Sequence, residues 1–487
     1  MEYTYEGLQH PGEFILDDLL LVTSSGLEVD LVTSVMGLTL YEDLLSMTIS
    51  GTIAIQDSIN LPSYGPLIGQ EYLYLKIRTP TFKDPSAIID FSKNVFLVHT
   101  ISKRQDIGNG VQGFVLNFVS QELVKNQRLK VVQSFTDPWS EIVLKLLTES
   151  KYLNTKKKID IEATVGIKKF VAPNVRPMDL IVTGMKQAIS EFKGEPTYLF
   201  YETLKGFNFR TLASLYNREE QLEYVISVPG TSVKESQSFG YRKPAGVIDV
   251  MDELQTVQSF EVVSNNDSIT NYRTGMYGSK LLIHDIISKS YTTNTYNYHD
   301  NFADEAHIVG GVTANKAEFP LASALPITER GERVSDFPAR TFMMPTSLTG
   351  GVDSQHTTQN NTNPYMAYDP HKWIQRRNSQ MIQLENALQV NILVHGQTIT
   401  NVGDKVILNL PYTASVDTKR KDKFDRLYRG PFLIKRIRHD FNMSVSPRKH
   451  QMYINLVKDS LEEELLAPED NLEPSAEAFE LNMYAYT

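Results

Sequence analysis

One strand pattern occurs twice in this chain, and that repeat constrains the fold more than any other feature. NVFLVHTISKRQ at 94–105 is similar to GPFLIKRIRHDF at 430–441. Two flanking pieces match in the same order: IGQEYLYL at 68–75 with VGDKVILN at 402–409, and VLNFVSQEL at 115–123 with YINLVKDSL at 453–461. The matched positions are Gly69 with Gly403, Phe96 with Phe432, and Asn117 with Asn455. Three ordered matches at a nearly constant offset predict a duplicated β domain.

Alternating apolar and polar residues indicate antiparallel strands around the repeat. SMTISGTIAIQD and EYLYLKIRTP alternate within the first 125 residues, where the Gly-rich turn DIGNG also joins two strands into a hairpin. We predict a mainly β chain with α+β inserts. In it, 1–125 form a first antiparallel β-barrel domain, and 250–300 together with 389–462 form a second. Leu75 and Leu408 are expected to be buried at corresponding places in the two barrels.

The segment 126–249 has a different pattern and is predicted to form a small α/β domain. WSEIVLKLL and MDLIVTGMKQAI carry apolar residues at helical spacing behind Pro138 and Pro177. LFYETLKGFNF is predicted to be two strands around a turn. The lysine run from Lys156 to Lys158 is interpreted as a solvated edge of this domain.

Three further segments complete the predicted organisation. Residues 301–368 are rich in Gly, Thr, Asn and Gln and are predicted to be a long loop or insertion. Residues 369–388 are predicted to form a helix that begins at Asp369 and has an apolar face. The acidic tail, 463–487, is either a solvated end or a segment that docks on a partner. The docking candidates in the tail are Phe479, Leu481, Tyr484 and Tyr486.

Recognisable catalytic or metal-binding patterns are sparse. The chain has no cysteine, which excludes disulfides, thiol catalysis and cysteine-ligated metals. It has no GxSxG, HExxH, P-loop or GxGxxG motif. The densest cluster of metal-ligand residue types, YHDNFADEAH at 298–307, is interpreted as a polar loop rather than a divalent-metal site. We therefore expect no catalytic residue, no cofactor and no metal, and the chain is not expected to be an enzyme.

Charge and hydropathy narrow the environment in which the chain works. The formal net charge of −10 argues against a protein that coats nucleic acid. The first residues lack the basic and apolar segments of a signal peptide, and no apolar run is long enough to cross a bilayer. We expect synthesis in the cytoplasm and no membrane partner.

The order of these pieces resembles the baseplate hub proteins of contractile-tailed phages of the T-even type. The resembling stretches are SMTISGTIAIQDSINL, LIGQEYLYLKIRTP, NVRPMDLI, LFYETLKGFNF, YGSKLLIHDIISKSYTTNTYNYHDNF, VGDKVILNLPY and YRGPFLIKRIRHDF. They cover most of the chain except the loop at 303–368 and the acidic tail. The resemblance rests on patterns and domain order, and it includes no catalytic signature.

The resemblance implies a homotrimer with two tube-protein-like β-barrel domains per chain, so that six barrels form a pseudo-sixfold ring. Such a ring would join a sixfold tail tube, or its initiator, to a threefold central spike, which in some phages carries a lysozyme-like domain. Baseplate wedge proteins would surround the ring, and phage DNA would pass through its channel without sequence-specific binding. The implied location is the virion tail baseplate, assembled in the host cytoplasm. Two alternatives stay open: a tail-tube adaptor or secretion-type spike component, and a tail-associated cell-wall hydrolase.

Overall fold

The first part of the chain is mostly strand. The computed structural model describes residues 10–80, 88–226, 253–286, 289–310, 318–346, 370–411 and 424–463. The elements up to residue 128 are β1 (Ile15–Val22), β2 (Glu28–Asp30), β3 (Val35–Asp43), β4 (Ser50–Asp57), α1 (Leu61–Tyr64), β5 (Tyr72–Arg78), β6 (Ile88–Asp90), β7 (Phe96–Gly108), β8 (Val111–Ser120) and α2 (Gln121–Arg128). Their inward-facing apolar side chains form one core that includes Leu19, Leu40, Leu75 and Phe118. Each fully buried side chain of this kind contributes roughly 1.5–3 kcal/mol.

The middle of the chain combines helices and short strands around a core of its own, and it is called the α/β domain below. Its elements are β9 (Ser134–Asp137), α3 (Trp139–Thr148), β10 (Lys158–Ile161), β11 (Lys168–Val171), α4 (Pro177–Gln187), β12 (Tyr198–Thr203), β13 (Gly206–Thr211) and α5 (Leu212–Tyr216). Helix α4 packs closely on α3 at Gly184, where an added Cβ would lie 2.6 Å from the Trp139 ring. Both helices begin next to a proline, at Pro138 and Pro177, as the sequence indicates.

The last part of the chain returns to strands. Its elements are β14 (Glu220–Ile226), β15 (Thr256–Asn265), α6 (Ser268–Arg273), β16 (Gly278–Asp285), β17 (Ser290–Asn297), α7 (Tyr298–Asn301), β18 (Phe319–Pro320), β19 (Arg340–Thr346), α8 (Ile374–Asn386), β20 (Leu388–His395), β21 (Lys405–Pro411), β22 (Phe424–Asn442), β23 (Lys449–Lys458) and β24 (Ser460–Leu461), with short 3-10 turns at Phe302–Asp304, Val334–Asp336 and Pro370–Lys372. A second large core lies among β20 to β23 and includes Val390, Leu408, Phe432 and Ile454.

Two groups of six strands organise the large sheet, and their strands have the same spatial order. The first strand group (β1, β3, β4, β5, β7, β8) is ordered β1-β5-β7-β8-β4-β3. The second strand group (β14, β15, β20, β21, β22, β23) is ordered β14-β21-β22-β23-β20-β15. If the strands of each group are numbered from one to six along the chain, both groups have the spatial order 1-4-5-6-3-2. The second group closes on itself because β14 pairs with β15, whereas β3 of the first group pairs with β22 of the second.

The prediction of a mainly β chain is confirmed. Strand β14 lies within the segment 126–249 but pairs with β15 and β21 of the second strand group. Glu220 and Glu223 interrupt the alternation of apolar and polar residues in β14, so the sequence pattern does not indicate a strand there. Strands β16 and β17 lie within 250–300 but form a separate sheet with β19. None of the described helices is long and apolar enough to cross a membrane.

The helix predicted at 369–388 exists as α8, but its buried face is polar. The predicted apolar residues of this helix are Trp373, Ile374, Met381, Leu384 and Leu388. Of these, Leu384 and Leu388 are buried, and Leu388 already belongs to β20. The face that packs inward consists mainly of Gln375, Arg377, Ser379, Gln380 and Gln383. Asp369, the predicted first residue of this helix, lies outside the described residues.

Candidate assembly site

The repeat predicted from sequence corresponds to matching strand registers in the two groups. Phe96 pairs with Leu73 of β5, and Phe432 pairs with Val406 of β21. On the other side, Leu97 and Val98 pair with Val119 and Phe118 as Leu433 and Ile434 pair with Val457 and Leu456. Each long strand then carries a bulge after the second of these pairs, between Val98 and Thr100 in β7 and between Ile434 and Arg436 in β22. Both phenylalanines are fully buried.

The matched asparagines occupy the same register position after the bulge. Asn117 pairs with Thr100, and Asn455 pairs with Arg436. Their side chains make different contacts: the Asn117 amide donates to the Thr100 carbonyl oxygen at 3.3 Å, and the Asn455 amide donates to Asn391 Oδ1 at 2.8 Å. The position is therefore matched by backbone register rather than by a shared side-chain contact.

The matched glycines both precede a strand in a left-handed conformation. Gly69 has φ +85° and Gly403 has φ +83°, a region that favours glycine. A carboxylate caps the turn in each case: Glu71 accepts from the Gly69 N–H, and Asp404 accepts from the Asn401 N–H. The turn at Gly403 is one residue shorter, so Leu75 corresponds by pairing to Leu408 and not to Asn409. Leu75 and Leu408 are both fully buried, as expected from the sequence.

The two strand groups join within the chain where β3 pairs antiparallel with β22. The paired residues run from Arg436 with Asp43 to Asn442 with Gly37. At the outer surface Arg436 Nε lies 2.7 Å from Asp43 Oδ2, and the Thr39 hydroxyl donates to Asp440 Oδ1 at 2.8 Å. The β3–β22 junction thus makes one continuous sheet from strands about 400 residues apart in sequence.

A buried chain of polar groups lies inside the β3–β22 junction. His439 Nε2 donates to Glu42 Oε1 at 3.1 Å, and His450 Nε2 lies 3.2 Å from His439 Nδ1. Burial and the neighbouring His439 hold the pKa of His450 well below its ordinary value. Glu42 also accepts from the Val402 N–H, so one carboxylate links both groups and the Gly403 turn.

A second buried network attaches the α/β domain to the first strand group. Lys157 Nζ lies 2.8 Å from Glu122 and 2.6 Å from Glu202. Glu202 accepts from the Ile49 N–H at 2.9 Å and from the Ser120 hydroxyl at 2.6 Å. Burial lowers the pKa of Lys157, but the two carboxylates outweigh it and raise that pKa above its ordinary value. The expectation that the lysine run is a solvated edge is therefore wrong for Lys157.

Helix α8 holds the α/β domain against the small sheet β16–β17–β19 through polar contacts. Arg377 donates to the Tyr198 carbonyl oxygen at 2.9 Å, and burial lowers the pKa of its guanidinium to about 10. Arg376 Nη2 lies 2.5 Å from Glu195. On the opposite side, the Gln375 amide donates to the Ser279 carbonyl oxygen at 3.0 Å. These contacts explain why the buried face of α8 is polar.

The residues considered as metal ligands have structural partners. His307 lies 2.9 Å from Asp459 and 3.0 Å from the Phe302 carbonyl oxygen. His299 Nδ1 lies 2.8 Å from the Ser335 hydroxyl, and Glu305 accepts from the Tyr296 hydroxyl at 2.9 Å. Within the described ranges, no group of three or more metal-ligating side chains converges. The tail candidates Phe479, Leu481, Tyr484 and Tyr486 lie outside the described residues.

The residues that sequence reasoning missed are Glu42, His450 and Lys157. Each is a buried ionisable side chain in a strand or beside one. The pairing of Glu42 with His439 joins residues 397 positions apart. Only the out-of-pattern charge in LYEDL and the lysine run offered a signal.

One of the comparisons with known proteins matches a phage baseplate hub protein. No family model matches the chain. The chain is 22% identical over 297 residues to the probable baseplate hub protein gp334 of Vibrio phage KVP40, a match that covers 60% of this chain and 64% of that protein. The predicted resemblance to phage baseplate hub proteins is confirmed by this match.

Structural alignments with two solved tail proteins extend over most of the chain. A tail protein from Neisseria meningitidis MC58 gives a TM-score of 0.47 at 8% identity and covers 92% of this chain and 97% of its own. The 43 kDa tail protein of prophage MuSo2 from Shewanella oneidensis gives 0.46 at 9% identity, with 91% and 98% covered.

Proposed function

We propose that this chain is the structural hub of a contractile-tail baseplate, a homotrimer whose six strand groups form a pseudo-sixfold ring. The observation that carries the proposal is the shared strand order and register of the two groups. A threefold assembly of such chains presents six similar units around one axis, which suits a connection between a sixfold and a threefold partner. The similarity to a phage hub protein supports the same assignment.

The proposed partners follow from this position. One face of the ring would contact the tail tube or its initiator, the other a threefold central spike, and the rim the surrounding wedge proteins. DNA would pass through the axial channel, and a neutral or acidic channel wall would keep it from adhering. Assembly would take place in the host cytoplasm before the tail is complete.

Electron microscopy of the purified full-length chain, with a mass measurement on the same sample, tests the assembly. We expect a particle of three 55.2 kDa chains with six lobes around a central hole in top view. Compact single chains at all concentrations, with and without purified tails, would contradict the proposal.

The proposed hub has no catalytic role, and the hydrolase alternative has its own test. A zymogram with purified bacterial cell wall should show no cleared band at the position of this chain, while a lysozyme control clears the gel. A cleared band would assign the chain to the tail hydrolases instead.

A further inference from the structure

A buried histidine connects the end of the second strand group to a segment far earlier in the chain. His307 lies 152 residues before Asp459, which directly follows β23. The two side chains are only 2% and 4% exposed. Nδ1 of His307 lies 2.9 Å from Asp459 Oδ2, and Nε2 lies 3.0 Å from the Phe302 carbonyl oxygen. The imidazole therefore has an oxygen atom at each of its two nitrogens.

Both oxygens are hydrogen-bond acceptors, and this limits the protonation state of the imidazole. A backbone carbonyl oxygen and an ionised carboxylate can only accept. Asp459 also accepts from the Ile308 N–H at 3.1 Å and from the Ser460 hydroxyl at 3.2 Å, and these hydrogen bonds favour its ionised form. A neutral imidazole would leave one nitrogen lone pair facing an oxygen. The geometry therefore fits a doubly protonated His307 that donates to both acceptors.

The same contacts hold the segment 302–310 against the chain that follows β23. The Ile308 and Val309 N–H groups donate to the side chains of Asp459 and Ser460, and β18 pairs with β24 beside them. Ile308 and Val309 belong to the second large core. Separation of the two segments would expose these apolar side chains, so it is a rare local opening of the kind that hydrogen exchange detects.

The charged groups that face His307 from the surrounding elements are carboxylates. They are Asp459, Glu305 on the same segment, Glu318 next to β18 and Glu195 before β12. The cations that act on these carboxylates are Arg376 of α8, Lys193 and Lys458. Three buried tyrosines complete the titratable groups, and burial keeps their hydroxyls neutral because it raises their pKa: Tyr216, Tyr296 and Tyr298.

These surroundings give the pH dependence a direction. Burial lowers the pKa of His307, but the hydrogen bond and charge of Asp459 outweigh it and raise that pKa above its ordinary value of about 6.5. The stabilisation from His307 is therefore fully present below pH 6.5 and is lost as the pH rises through the folded-state pKa. Burial raises the pKa of Glu305 and Glu195, which gives the same direction. Lys458, whose pKa burial lowers to about 8, acts in the opposite direction at higher pH.

We propose that His307 and Asp459 form a proton-operated latch between the segments 302–310 and 459–461. While the imidazole carries two protons, it holds the segments together. Loss of one proton as the pH rises weakens the contact, and the segment 302–310 then leaves the core more often. The latch lies within one chain, so it does not depend on the proposed ring.

Hydrogen exchange of the full-length chain tests the latch between pH 6 and 8. Peptides that cover 302–310 are followed by mass spectrometry, and the intrinsic rate at each pH converts their exchange into a protection factor. We expect the protection factor to fall above about pH 6.5, by up to about tenfold per pH unit, because opening then releases one proton. Peptides from β8, in the other core, should not show this decrease. A parallel decrease in β8 would mean that the whole chain unfolds, and it would overturn the latch.

Two variants separate the proton from the shape of the side chain. His307→Gln keeps an amide donor but cannot titrate, so the protection of 302–310 should no longer fall between pH 6 and 8. The matched control is His299→Gln, because His299 contacts the Ser335 hydroxyl and the Ala322 carbonyl oxygen rather than Asp459. This control should keep the wild-type dependence. A decrease of wild-type size in His307→Gln would contradict the proposed role of the proton.

The proton on His307 can also be measured without a variant. Deuterium exchange at the imidazole C2 position, followed by mass spectrometry over a pH series, gives the pKa of each histidine in the folded chain. The value for His307 should lie above the ordinary 6.5, with the exposed His284 of the same sample as an internal reference. A value at or below 6.5 would overturn the latch. A chain that stays monomeric would contradict only the proposed ring.

Discussion

Glu42 Oε1 lies 3.1 Å from His439 Nε2 in the interior of the β3–β22 junction, where both side chains are fully buried. The carboxylate has a second partner in the Val402 N–H. A buried polar group that loses its partner carries the whole desolvation penalty. The contact between the two strand groups therefore depends on this residue more than on the ion pairs at the surface above it.

Glu42→Ala should lower the free energy of unfolding by about 3–5 kcal/mol, because it leaves His439 and a backbone N–H without partners in the interior. Chemical denaturation of the purified chain measures this change. The matched control is Asp43→Ala, which removes the partly exposed pair with Arg436 and should change stability by about 1 kcal/mol or less. Equal effects of the two variants would show that the buried contact does not hold the junction.

His450 should make the fold sensitive to mild acid. Burial and His439 depress the pKa of His450 in the folded state, below the ordinary histidine value of about 6.5. Its contribution to stability is therefore fully present above pH 6.5 and is lost as the pH falls through the folded-state pKa. Uptake of one proton on unfolding makes the free energy of unfolding change by up to about 1.4 kcal/mol per pH unit.

This dependence is checked by measuring the free energy of unfolding of the wild type and of the His450→Gln variant between pH 7.5 and about 4. The variant should be less stable than wild type at neutral pH but should lose less stability on acidification. A residual slope is expected from His395, whose pKa is lowered to about 4 by burial and by Lys449. Parallel curves for the two proteins would mean that His450 does not titrate in this range.

The sequence indicated the paired strands well and the buried polar groups poorly. Phe96 and Phe432 could be paired from the sequence because alternation and aromatic content report directly on a half-buried strand. The ungapped match of 68–75 with 402–409 does not show that the turn after Gly403 is one residue shorter, whereas the expected correspondence of Leu75 with Leu408 agrees with it. The polar inner face of α8 could not be predicted, since Arg377 and Gln375 are satisfied by backbone carbonyls from distant parts of the chain.

Lys157 should be as important for attaching the α/β domain as Glu42 is for the junction. Lys157→Met leaves Glu122 and Glu202 facing each other without a cation, and we expect a loss of about 3–5 kcal/mol in the free energy of unfolding. Lys151→Met is the matched control, because its ammonium is exposed and pairs with Glu149 at the surface; it should melt like the wild type. A Lys157 variant that melts with the control would contradict the role of the network.

Substitution by alanine should destabilise the chain at both glycines matched by the repeat, Gly69 and Gly403. Backbone strain and a close contact both contribute there, and a third glycine, Gly26, measures the strain alone. Gly26 has φ +82° with no atom within 4 Å of an added Cβ, so Gly26→Ala reports backbone strain alone, about 1–2 kcal/mol. In Gly403→Ala the new Cβ would lie 2.6 Å from Oη of the buried Tyr201, and in Gly69→Ala it would lie 2.9 Å from the His99 carbonyl oxygen.

Both substitutions should therefore lower stability by more than Gly26→Ala does, because a close contact adds to the strain. Thermal melting of the three variants under identical conditions gives the comparison. If Gly69→Ala and Gly403→Ala melt no lower than Gly26→Ala, the neighbouring groups give way to the new Cβ, and the two turns need glycine only for its backbone conformation.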